Sequence, residues 1–140
     1  MNAVEKWYEV MKSNDMDELD KLLAEDVVFY SPVVFTPQKG KDITKVYLMA
    51  AGGVFGEGAK EEVSDNNKNQ SNFKYIKEII GVKSALLEFE SEMDGIFING
   101  VDLISWNEEG KIIEFKVIVR PLQAVNMLHQ KMQTMLENMK

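Results

Sequence analysis

Apolar residues recur at two different spacings along this chain, and the change of spacing divides it into a helical first part, a polar interval and a strand-rich remainder that closes on a helix. Val4, Trp7, Tyr8 and Met11 stand three and four apart, which predicts an amphipathic helix over residues 3–12. Ser13-Asn14-Asp15 interrupts it. Asp15 followed by Glu18 resembles an acidic capping box, and Leu19, Leu22 and Leu23 give a second short helix its buried stripe. Glu25-Asp26 is expected to end that helix, and Val27 to Ser31 reads as a short strand closed by Pro32. A loop through Pro37 and Gly40 follows. Ile43, Val46, Tyr47, Ala50 and Val54 then predict a third helix over 42–55, weakened at its end by Gly52-Gly53.

Residues 56–72, GEGAKEEVSDNNKNQSN, hold almost no apolar side chains and read as a long polar connection, the segment best placed to act as a lid. Beyond it the spacing drops to two. Four strand-like runs, 73–80, 82–93, 96–106 and 111–120, are separated by Gly81, Asp94-Gly95 and Glu108-Glu109-Gly110, short enough for hairpin turns. An antiparallel meander is predicted. Pairing across its turns is expected to set Asp102 opposite Leu87 on one side and near Phe115 on the other. One face then carries Ala85, Leu87, Phe89, Ile98, Asp102, Ile104, Trp106, Phe115, Val117 and Val119. The other carries Glu88, Glu90 and Glu92, with Leu86, Val101, Leu103, Ile112, Ile118 and Arg120, and is too apolar for water alone. A second copy of the chain is the expected cover, giving a homodimer through the outer sheet face. After Pro121 a long amphipathic helix is predicted, its stripe formed by Leu122, Val125, Leu128, Met132, Met135, Leu136 and Met139.

Composition narrows what such a fold can do. The 140 residues fit one domain spanning 1–140, large enough to bury a core unaided. With no cysteine, a disulfide framework, a thiolate metal site and a cysteine nucleophile are excluded. The net charge of -7, and basic residues that are scattered lysines with the single arginine Arg120, argue against nucleic acid as a partner. The first residues lack a basic region leading into a long apolar run, and no segment approaches a membrane-spanning length, so a cytoplasmic protein without membrane attachment is expected. His129, the only histidine, reads as a surface or interface residue, and no cofactor or metal is expected.

Asp102 is the residue that needs explaining, because an acid is predicted on the face of Ile98, Ile104 and Trp106. As a structural residue it would be hydrogen-bonded to Trp7, Tyr8, Tyr47 or Trp106, holding helix to sheet. As a functional one it would be the acid/base group of an apolar pocket whose ligand-binding residues are Trp7, Phe29, Tyr47, Phe89, Trp106 and Phe115.

Helix, short helix, strand, helix and antiparallel meander is the order of the α+β fold shared by nuclear transport factor 2, ketosteroid isomerase and the SnoaL-like polyketide cyclases. The stretch SNDMDELDKLLAEDVVFYSPV, the later Gly40 with its helix, and VDLISWNEEGKIIEFKVIVRPL carry the resemblance, which covers nearly the whole chain. It implies a cone-shaped, curved antiparallel sheet wrapped around the N-terminal helices (cystatin-like), with an extra C-terminal helix. Ketosteroid isomerases use a helix tyrosine and a neutral aspartic acid as hydrogen-bond donors, and a second aspartate as base. By that resemblance Asp102 falls on the neutral acid, whereas Trp7 stands where the tyrosine would be and Ser31 where the base would be. Epoxide hydrolases of this fold need an arginine between two aspartates, and Arg120 is predicted on the face opposite Asp102. The resemblance thus implies a SnoaL-like protein that binds a small, mostly apolar molecule, as an isomerase, cyclase or lyase using Asp102. The alternative is a non-catalytic dimeric interaction module with an incidental pocket.

Overall fold

The computed structural model describes residues 2–56 and 73–138, so the expected lid at 56–72 lies, beyond its first residue, outside the described residues. Helix α1 (Ala3–Ser13) starts on a reciprocal cap between Asn2 and Glu5 and stops at Asn14, whose left-handed backbone returns an N–H to the Val10 carbonyl. Asp15 then caps α2 (Met16–Leu22) by accepting the N–H groups of Asp17 and Glu18. This helix ends earlier than Glu25, and the first strand, β1 (Leu23–Tyr30), begins at once rather than at Val27. The cause is tertiary: Leu23 is fully buried and pairs with Ile112, so the chain is extended before its helical pattern runs out. A two-residue strand β2 (Gln38–Lys39), not expected from the sequence, hairpins back on β1 ahead of α3 (Lys41–Gly56).

The four later strands form as expected: β3 (Lys74–Ile80), β4 (Ser84–Met93), β5 (Ile96–Trp106) and β6 (Ile112–Arg120), followed by helix α4 (Leu122–Asn138). The sheet is curved and unclosed, ordered β2-β1-β6-β5-β4-β3. The meander is antiparallel, but β1 joins β6 in parallel, which makes the whole sheet mixed rather than antiparallel. At the β4 to β5 turn both Asp94 and Gly95 adopt positive φ, as a two-residue hairpin turn requires.

Registers place the faces. Asp102 lies opposite Leu87, as expected, but on the other side it faces Val117, because Phe115 pairs with Ile104. That slip of two leaves the side-chain parity intact. Nearer the turn, Ser105 pairs with Glu114 and Trp106 with Ile112, so Ile113 is the extra residue of a bulge. Ile112 is thereby turned inward and fully buried, which corrects its expected place on the outer face.

The helices cover one face of this sheet. Side chains from α1, α2, β1 and the sheet centre form one core, including Val4, Trp7, Leu22, Leu87, Ile104 and Phe115. A second core joins Phe89 and Ile98 to Ala124, Met127 and Leu128 of α4. The buried side of α4 is therefore displaced from the expected stripe: Leu122 is 74% exposed, and Met132 and Met135 only flank the core. Pro121 sets the start, its carbonyl accepting from Ala124 and Val125, and the helix rotates Ala124 and Met127 onto the sheet. Met139 and the side chain of Val54 lie outside the described residues. No helix among the described residues is long and apolar enough to cross a membrane.

Candidate functional site

Strand alternation brings Asp102 to the covered face of β5, where it is 6% exposed. One group answers it. The Tyr75 hydroxyl donates to Asp102 Oδ2 at 2.6 Å, and the Trp7 indole Nε1–H donates to the Tyr75 oxygen at 3.0 Å. Three elements, α1, β3 and β5, thus contribute one side chain each to a chain of hydrogen bonds ending on a carboxyl group. Burial pushes the Asp102 carboxyl up to about 7, with the Tyr75 hydrogen bond pulling the other way. The same burial, reinforced by the neighbouring acid, holds the Tyr75 phenol well above its ordinary range, so it remains a donor at neutral pH.

Tyr75 was not among the partners the sequence offered. Of those, Trp7 is one step removed, Tyr8 donates instead to Glu78, and Asp102 has no hydrogen bond to Tyr47 or Trp106. A signal was present: Tyr75 pairs with Phe89, two residues along the covered face from Leu87, which is itself opposite Asp102. The obstacle was the register shift between Tyr75 and Lys77, which pattern alone does not reveal.

The aromatic residues read from the sequence divide between the two cores. Trp7 packs edge-on against Phe115 with centroids 4.9 Å apart, Phe115 lies 6.0 Å from Phe29, and Phe29 stacks on Tyr47 at 5.4 Å. Trp106 belongs to the same core, at the turn end of β5. Phe89 belongs to the other, where it stacks on Phe73 at 5.0 Å and meets the Tyr75 ring at 6.3 Å. Tyr75 touches both groups and stands at their junction. Gly100 makes room for this: a Cβ there would lie 2.6 Å from the Phe89 ring and 2.7 Å from the Ile118 carbonyl oxygen.

Ser31 accepts a hydrogen bond from the Val33 N–H and, among the described residues, has no carboxylate or imidazole bonded to it. Arg120 is exposed on the outer side, and its Nη1 meets Asn99 Oδ1 at 3.4 Å. Asn99 in turn donates to Glu88 at 2.9 Å, so an amide stands between Arg120 and that carboxylate. Among the described residues no cluster of three or more histidine or acidic side chains is arranged for a metal ion. A groove of about 390 Å³ opens on the outer face, where Ile79, Leu86, Leu103, Glu114 and Lys116 line it.

No protein-family model matches the chain, and no curated protein matches it in sequence. Solved structures do. A steroid delta-isomerase from Pseudomonas aeruginosa superposes with a TM-score of 0.82 at 25% identity, over 97% of this chain and 90% of that one. An uncharacterised protein with a cystatin-like fold from Silicibacter pomeroyi gives 0.78 at 30% identity, over 94% of this chain and 83% of that one. An NTF2-like protein of unknown function from Mesorhizobium loti gives 0.66 at 19% identity, over 85% and 88%. The chain belongs to the nuclear transport factor 2-like superfamily, whose members include ketosteroid-isomerase-like and SnoaL-like proteins.

Proposed function

We propose that this protein binds a small, mostly apolar molecule through a single oxygen acceptor and that Asp102 acts on it as an acid/base group, in the manner of an isomerase, cyclase or lyase. The observation that carries this reading is a buried carboxyl group that titrates near neutrality beside aromatic rings, with one hydrogen-bond donor and no cation bonded to it among the described residues. Such a group exists in both protonation states at working pH. Protonated, it donates to a carbonyl oxygen as charge develops there; ionised, it accepts a proton from carbon or oxygen. The likeness to a steroid delta-isomerase supports a mostly apolar ligand. Ser31, a hydroxyl with no base bonded to it among the described residues, gives no support to a separate proton-abstracting group.

A second reading, a dimeric interaction module, is favoured by the outer face. There Phe97 is 70% and Ile118 51% exposed, on the face that also carries the groove-lining Leu86 and Leu103. On this reading a homodimer forms through that face. This is the alternative to the first reading: the module is non-catalytic, its pocket is incidental, and only the first reading needs Asp102 as an acid/base group.

Acetophenone, apolar apart from one carbonyl oxygen, is a suitable probe, with binding followed by the fluorescence of Trp7 and Trp106. Binding should survive in Asp102→Asn, which keeps a donor, and weaken at least tenfold in Asp102→Leu, the loss of a hydrogen bond of about 1.4 kcal/mol or more. Equal affinity in the Leu variant would remove Asp102 from ligand recognition. Failure of the unsubstituted protein to bind would count against a carbonyl pocket.

A further inference from the structure

The hydrogen-bond chain behind Asp102 has a direction imposed by chemistry. An indole N–H only donates, so at 3.0 Å the Tyr75 oxygen must be the acceptor from Trp7. The Tyr75 hydrogen is then free for the other hydrogen-bond partner it has among the described residues, Asp102 Oδ2 at 2.6 Å. Tyr75 is anchored on both sides, its ring lying 6.3 Å from Phe89 and 5.6 Å from Tyr8. Asp102 Oδ1 has no hydrogen bond among the described residues.

We propose that Tyr75 is a positioning residue for Asp102: held by the Trp7 indole, its hydroxyl hydrogen is directed to Oδ2, which leaves Oδ1 as the atom that carries the acidic proton and meets the ligand. Oδ2, already accepting, is the poorer place for a proton, because protonation there sets two hydrogens against each other unless Tyr75 turns away from its acceptor. The tyrosine hydroxyl is thereby committed to the acid rather than to the ligand. The site offers one donor and, among the described residues, no cation bonded to Asp102, which selects a neutral acceptor oxygen and disfavours a carboxylate, whose charge would be buried unpaired.

This inference rests on the reading of Asp102 as the ligand-facing acid, and its test needs no ligand. With aspartate carboxyls labelled with carbon-13, the high-pH resonance absent from Asp102→Asn belongs to Asp102. Tyr75→Phe keeps the ring and removes the hydroxyl, and the midpoint should rise by about one pH unit or more, because a hydrogen bond favouring the carboxylate is gone. Trp7→Phe should raise it less, since a released Tyr75 hydroxyl can turn to accept from the neutral acid. In the unsubstituted protein the Trp7 indole nitrogen-15 resonance should titrate with the midpoint of Asp102. Among the described residues the other ionisable groups facing this chain are Tyr8 from α1 and Glu78 from β3, bonded to each other, while β4 and β6 present the apolar Leu87 and Val117. Glu78→Gln should therefore leave the Trp7 titration in place.

An unchanged or lowered midpoint in Tyr75→Phe overturns the proposal, as does a Trp7 resonance that is flat with pH or loses its titration in Glu78→Gln. A protein that passes these tests yet binds no acetophenone keeps Tyr75 as the positioning residue and fails the carbonyl-pocket reading alone.

Discussion

A single buried carboxyl makes the stability of this protein depend on pH in a direction opposite to that of most aspartates. Folding raises the Asp102 value from 3.8 to about 7, so between those limits the folded state holds a proton that the unfolded state has lost. Stability is then undiminished by this group below the unfolded value, falls as pH rises through the window, and stays low above the folded value. Each unit of the difference corresponds to about 1.4 kcal/mol. Asp102→Asn retains an oxygen to accept from Tyr75 and has nothing to ionise. Its urea midpoint should therefore differ little from the parent's at pH 4 and exceed it clearly at pH 8. A gain confined to acid pH would show that the carboxylate is stabilised by folding instead. The position of this acid was legible in the sequence because alternation is a property of the strand itself. Its partner was not, because a bulge in β3 and the reach of two aromatic side chains from different elements decide which hydroxyl arrives.

Elements were legible wherever the hydrophobic period was long, and misplaced where a neighbour chose between two local options. The meander and its turns follow directly from alternation and from the Asp94-Gly95 pair. The start of β1 was chosen by pairing with β6, and the side of α4 that packs was chosen by Phe89 and Ile98, neither of which is local. Ile112 is the sharpest case, since one extra residue in β6 reversed its face. Between β4 and β6, Gly100 is held at a point where backbone and ring approach more closely than a side chain allows. Gly100→Ala should cost about 1–3 kcal/mol, as overpacking of a filled interior does. Calorimetry checks this, and Phe89→Leu should recover only part of the loss, because the Ile118 carbonyl oxygen remains 2.7 Å from the new methyl. Full recovery would mean that the ring alone sets the limit.

At the scale of the whole molecule, the helices cover one side of the sheet and leave the other partly apolar. Parity made this asymmetry readable from sequence, apart from Ile112. If two copies meet there, a charge at the centre of the contact loses its water without gaining a counter-ion. Leu103→Asp should accordingly shift the protein to monomers in light scattering at micromolar concentration, with the helical circular dichroism unchanged. An unsubstituted protein that is monomeric at that concentration would end the outer-face assignment.

Among the described residues β3 is the last strand of the sheet, hydrogen-bonded on one side to β4, with nearly every residue exposed and with Ile76 standing at its register shift. Rim strands of this kind open more readily than central ones. Yet it is the rim that supplies the hydroxyl for Asp102, whereas the acid itself sits on central β5. Each local opening of β3 therefore withdraws the donor from Asp102. Whatever steadies that rim therefore also steadies the hydrogen bond that the buried acid accepts, without touching the acid itself.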